Sequence, residues 1–184
     1  ARLYGGPLNL PEKALKAATA ARELAPRDPQ VLAALGFVKL KVGDDEEAYG
    51  LLKDAAVVLD DNAPVIFDYG RAAYRLGRVT EARTAMARAA ALESPVAADA
   101  KGFLLLTDAG AMANSGIAAK VEESLAKDPK SVPALMVRGA LEEAAGKSSE
   151  ATYLEVLKIH PRFDPARVRL AALYLNEPAK LDQA

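Results

Sequence analysis

The side chains able to do covalent or metal chemistry are few and poorly spaced for it. His160 is the sole histidine of 184 residues and cysteine is absent. That removes thiolate zinc sites, iron–sulfur clusters, disulfides and cysteine nucleophiles together. A histidine dyad or metal site needs a second group at a defined spacing. His160, set before Pro161, therefore reads as an exposed turn residue or a charge partner for a helix C-terminus. Gly146-Lys147-Ser148 has the ending of a phosphate-binding loop, but Leu141 stands where that motif needs its first glycine. Asp60-Asp61-Asn62 lacks the spaced oxygen ligands and distal glutamate of a calcium loop. Asp44-Asp45-Glu46-Glu47 reads as acids stabilising a helix N-terminus. With no nucleophile elbow, dinucleotide fingerprint or HExxH pattern, the expectation is no enzyme, no cofactor and no metal.

Charge and hydropathy narrow the partners. The formal net charge is −1, so no global field draws in nucleic acid or an anionic membrane. No apolar run approaches the roughly 18 residues of a membrane span, so no insertion is expected. Residues 1–10 lack a basic start followed by an apolar stretch, so no signal peptide is read there. The chain opens on Ala1 and closes on Leu181-Asp182-Gln183-Ala184, which reads as a helix barely begun. The expectation is a soluble piece of a longer chain, cytoplasmic or periplasmic, whose exposed terminal helices could self-associate.

The elements that must position any site are helical. Hydrophobic residues make up 51% of the chain, aromatics 5%, and there is no Trp, a composition suited to closely approached helices and poor for a β-sandwich. Gly36 and Gly70 are related by a 34-residue offset, and the same offset relates Gly43 to Gly77, Ala48 to Ala82, and Ala55 to Ala89. Pro95 and Pro129 keep it too, whereas Pro161 comes two positions early after Pro129. Within each unit the apolar residues recur at helical spacing, as at Ala48, Leu51, Leu52, Ala55 and Val58. Gly43 then breaks one helix and Asp44, with Glu47 three positions on, offers a capping box to the next. Asp28-Pro29, Ser94-Pro95 and Asp164-Pro165 supply further helix starts. Residues 107–116 replace the usual turn with a longer small-residue stretch, where the register slips by about one.

This pattern resembles the tetratricopeptide repeat. It is carried by Leu32-x2-Leu35-Gly36 with Ala48-x3-Leu52 and Ala55, and by Ile66-x2-Tyr69-Gly70 with Ala82-x3-Met86 and Ala89. Residues 132–161 add Leu135-x2-Arg138-Gly139, Gly146, Ala151 and Pro161, and residues 164–184 add Leu170-Ala171-x2-Tyr174. No unit has Trp, and Lys39, Ala73 and Glu142 stand where an aromatic is usual. The resemblance implies an all-α solenoid, a right-handed superhelix of antiparallel helix pairs with about ten or eleven helices. One array over 1–184 would comprise units 1–28 (partial), 29–62, 63–96, 97–130 (degenerate), 131–163 (short) and 164–184 (partial). It further implies a non-enzymatic module that binds a protein or peptide partner along an inner face lined by the first helix of each unit. Phe37, Lys41, Phe67, Arg71, Tyr74 and Arg75 are the candidates there, with Leu106, Met136 and Ala140 further along. Lys41 and Arg75 share the 34-residue offset and Arg71 and Arg75 an i, i+4 face, a basic strip beside three rings. The Lys-and-Asn clamp with which some family members grip chaperone tails is missing: Ala33, Phe37, Asp68 and Gly102 occupy its positions. A spacer segment of a longer superhelix, or a regulatory domain attached to an enzyme, are the alternative readings.

Overall fold

Three glycines turn the chain between helices. Gly43, Gly77 and Gly146 have φ of 85°, 73° and 68°, left-handed backbone that glycine alone adopts without steric cost. The computed structural model describes residues 10–176. Among them run ten α-helices: α1 (Pro11–Leu24), α2 (Pro29–Val42), α3 (Asp45–Val58), α4 (Ala63–Arg75), α5 (Val79–Ala91), α6 (Ala97–Leu106), α7 (Ile117–Lys127), α8 (Val132–Ala144), α9 (Glu150–Ile159) and α10 (Asp164–Leu175). A 3₁₀ turn at Ala111–Ala113 separates α6 from α7. Gly43 joins α2 to α3, Gly77 α4 to α5, and Gly146 α8 to α9. The would-be phosphate loop is thus a helix-to-helix turn.

The helices form two compact units, residues 1–101 and 102–184, with the boundary inside α6. In the first unit each helix from α1 to α5 packs on the next, and α2 also meets α4. The second helices bury the small residues of the repeat: Ala14 and Ala18 in α1, Ala48, Leu52 and Ala55 in α3, and Ala82, Met86 and Ala89 in α5. Gly36 and Gly70 are the points of closest crossing. A Cβ at Gly36 would lie 2.6 Å from Leu52 Cγ, and one at Gly70 3.0 Å from Met86 Cε. A larger side chain would drive the pair apart. Helix starts are mixed. Asp28 caps α2 by accepting the Gln30 and Val31 amides at 2.8 and 3.0 Å, and Asn62, the last of the Asp60-Asp61-Asn62 run, caps α4 by accepting the Val65 amide at 3.2 Å. Asp44 stands at the N-cap of α3 without a side-chain capping bond, because its carboxylate is drawn 2.9 Å to Lys39 Nζ instead. Ser94-Pro95 does not open a helix either. Pro95 sits in a turn and α6 starts at Ala97.

The second unit keeps the turn and the crossing but changes the spacing. Its core joins Leu106, Ala111, Ile117, Val121, Ala134 and Val137, and a further cluster joins Tyr153, Leu170 and Tyr174. A Cβ at Gly139 would come 2.5 Å from Tyr153 Cε1, so this glycine repeats the role of Gly36 and Gly70. Its contact comes two positions sooner along the chain than Gly36–Leu52 and Gly70–Met86 do. The shortening of this unit therefore falls between Gly139 and Tyr153. Ala151, aligned by sequence with Ala48, is exposed, while Ser149, Tyr153 and Val156 are buried in its place. His160 is also corrected: it is 8% exposed at the end of α9, where its amide donates to the Val156 carbonyl at 2.8 Å. The slip near 107–116 is confirmed by Ile117 and Val121, which take the buried places of Ala82 and Met86 one position late.

Candidate functional site

The expected face is built on α2 and α4, the first helices of two successive repeats. Arg75 fixes their register. Its Nη1 donates to the Leu40 carbonyl at 2.6 Å and to Asp45 Oδ1 at 3.0 Å, so it satisfies a carbonyl in the last turn of α2 and an acid at the first turn of α3. The last turn of α4 therefore lies beside the last turn of α2, the alignment a 34-residue spacing requires.

In that register the six candidates behave differently. Phe37 is half-buried against the cluster of Ala14, Ala18, Leu35, Val38 and Leu51. Lys41, one turn on, is exposed, with Nζ 5.6 Å from the Phe37 ring centroid, within cation–π reach. Phe67 is half-buried on α4. Arg71, one turn beyond Phe67, lies 3.7 Å from the buried carboxylate of Asp68, its side chain 31% exposed. Tyr74 is buried, and desolvation pushes its hydroxyl above the usual tyrosine range. Arg75 is occupied between the repeats. Leu106 is buried in the second unit's core, and Met136 packs against Tyr153, Leu170 and Tyr174.

A second polar cluster joins α3, α4 and α5, and the sequence reading did not single it out. Glu81 accepts the Tyr49 hydroxyl at 2.9 and 3.1 Å through its two oxygens, and also accepts the Tyr69 hydroxyl. Arg78 donates to the Tyr49 oxygen at 3.1 Å and stands 4.4 Å from its ring centroid. Lys53 approaches the same oxygen at 3.3 Å. The Tyr69 bond, followed by those from Tyr49 and by Lys53 and Arg78, holds the Glu81 carboxyl below the usual glutamate range against partial desolvation. Burial first, then the neighbouring carboxylate, raises the Tyr69 hydroxyl. The signal was Glu47, which precedes Glu81 by the 34-residue offset. It too meets a group of its preceding first helix, Lys39, at 2.5 Å, and with Asp44 it raises that lysine. The cluster ties successive repeats together.

Among the described residues no three His, Asp or Glu side chains gather to hold a metal ion, and no helix is long and apolar enough to cross a membrane. Antiparallel helix pairs, glycine crossings and left-handed glycine turns define an all-α, tetratricopeptide-like solenoid fold. A solved structure described as the crystal structure of MamA is similar to the chain, with a TM-score of 0.52 and 21% sequence identity over 89% of this chain and 92% of that one. The likeness is one of fold. No protein-family profile matches the chain, and no curated protein does.

Proposed function

We propose that the protein is a non-enzymatic interaction module that holds a peptide or helix of a partner protein along the α2–α4 face, within one array spanning 1–184. The observation that supports this is the placing, on two first helices held in register by Arg75, of half-buried rings one turn from cations: Phe37 under Lys41, and Phe67 one turn before Arg71, which is itself paired with Asp68. Half-buried rings beside cations are the kind of anchor a docking peptide uses. The test is capture of partners by the wild-type chain and by a Phe67→Ala/Arg71→Gln variant. Circular dichroism should show equal helicity, and partner capture should fall at least tenfold. Undiminished capture removes the α2–α4 face from the reading.

A spacer or self-associating role is the second reading. It is favoured by α10, on which Val168 and Leu175, two turns apart on one helix face, are 66% and 68% exposed. Light scattering decides it. A concentration-dependent mass that Val168→Lys/Leu175→Lys abolishes supports this role, and a monomer at all concentrations removes it.

A further inference from the structure

We infer that the outward face of α3 is a docking surface of its own, and that its occupant is a basic amphipathic segment of a partner protein. It does not depend on the α2–α4 face. α3 packs on α2 and on α4 and buries Ala48, Tyr49, Leu51, Leu52, Ala55 and Ala56. Gly50, Lys53, Asp54, Val57 and Val58 are exposed. Their spacing from Gly50, at i+3, i+4, i+7 and i+8, puts them on one stripe of the helix.

Three features of that stripe work against the stability of α3. Gly50 lies inside the helix, where glycine costs backbone entropy, yet it makes no crossing: a Cβ there would meet nothing within 4 Å, in contrast to Gly36. Val57 and Val58 leave 73% and 65% of their surface in water. Asp54 comes one turn before the C-terminal end of the helix, the pole that favours bases, and the last turn holds no base. The repeat does not demand these residues, since 34 positions on α5 and the turn after it carry Thr84, Arg88, Ala91 and Leu92 in place of Gly50, Asp54, Val57 and Val58. A local cost with no return inside the fold points to a use outside it.

Charge decides the occupant. Just past Val58 the chain runs into Asp60 and Asp61, both exposed. Among the described residues the carboxylates of Asp54, Asp60 and Asp61 make no ion pair. Lys53, the base on the stripe, is turned to the Tyr49 hydroxyl at 3.3 Å and to Glu81 at 3.9 Å. Arg88 of α5 donates to the Asp60 main-chain carbonyl at 3.4 Å and not to a carboxylate. A segment with apolar side chains on one side can therefore cover the valines and come close at Gly50, where no side chain stands. Its Lys or Arg residues then meet three acids without breaking an ion pair inside the fold.

Selection from a phage-displayed library of short random peptides tests this. Wild-type protein should enrich sequences combining Lys or Arg with Leu, Ile or Val. Their affinity should fall at least tenfold for Val57→Lys and for Asp54→Lys, and several-fold between about 50 and 300 mM salt, the range over which exposed pairs become screened. It should be unchanged by Phe67→Ala, which reports on the α2–α4 face alone. All three α3 positions are exposed, so the variants should keep the helicity of the wild type, and Gly50→Ala should raise the melting temperature. A fall on Gly50→Ala would show that the fold itself uses the glycine and would overturn the inference. So would enrichment confined to acidic or uncharged sequences, basic sequences bound equally well by Val57→Lys and Asp54→Lys, or no enrichment at all. A concentration-dependent mass in light scattering that Val57→Lys abolishes would put a second copy of the chain on this face and overturn the basic partner.

Discussion

The first unit, residues 1–101, and the second, 102–184, solve one packing problem with different materials. In the first, helices cross over Gly36 and Gly70 onto Leu52 and Met86, with alanines at the flanking buried places. In the second, Gly139 meets the ring of Tyr153. The two aromatic rings fully buried among the described residues, Tyr153 and Phe163, both lie there. Strict spacing lets small residues interdigitate. Where the chain is shortened between Gly139 and Tyr153, a large flat side chain fills the altered gap. Regular spacing and aromatic bulk are therefore interchangeable means of closing a helix pair, and each leaves its own weak point.

The largest effect should come from Tyr153→Ala, which empties the most bulky buried site of the second unit. A loss of about 3–5 kcal/mol in denaturant unfolding is expected, and a loss under about 1 kcal/mol would show that the ring is not the filler. Next come the crossings. Gly36→Ala and Gly139→Ala set a Cβ within 2.6 and 2.5 Å of Leu52 Cγ and the Tyr153 ring. Overpacking should exceed the gain of up to about 1 kcal/mol that alanine brings inside a helix. Gly102→Ala, whose Cβ would find Lys120 Cε at 3.6 Å, should keep that gain and raise the melting temperature. Equal behaviour at the three sites would erase the distinction between crossing and non-crossing glycines.

Arg75→Met should cost about 1–2 kcal/mol, because the Leu40 carbonyl and Asp45 lose a charged donor at a half-buried junction. Urea unfolding of the variant checks it. The smallest effect is the pH response of Glu81. Its folded carboxyl titrates below the ordinary glutamate value. The stability it adds is therefore complete above the unfolded glutamate range and is lost as pH falls through the lower folded value. Glu81→Gln should flatten that part of a melting-temperature profile taken from neutral pH down into the acid range. An unchanged profile would mean the cluster around Tyr49 and Tyr69 adds no pH-linked stability.

Much of this was legible in the chain. A fixed offset marks Gly36, Gly43, Gly70 and Gly77 because backbone crossings and left-handed turns admit almost no other residue. Those constraints are local and survive in the sequence. Ala151 misled because an alanine at the expected count says nothing of which face it takes after a deletion, and burial chose Ser149 and Tyr153. His160, read as an exposed turn residue or a helix C-terminal partner, and Tyr74, read as a ring of the inner face, are both buried, because each has an apolar body that fills space between helices. At Ser94-Pro95 a sound capping pair was overruled by the turn that must precede α6. For the candidate face, charge and ring positions were readable from composition and spacing. Which cations are engaged between helices was not, because Arg75 finds its partners in the preceding repeat, far back along the chain.

Those long separations bear on how the chain is made. Synthesis delivers the N-terminal repeats first, so the Leu40 carbonyl, Asp45 and Tyr49 emerge before the Arg75 and Glu81 that complete them. Each repeat leaves the ribosome with its polar groups still hydrated. It becomes fully bonded only when its successor arrives, so α2 and α3 stay unlatched until Arg75 and Glu81 have themselves cleared the ribosome.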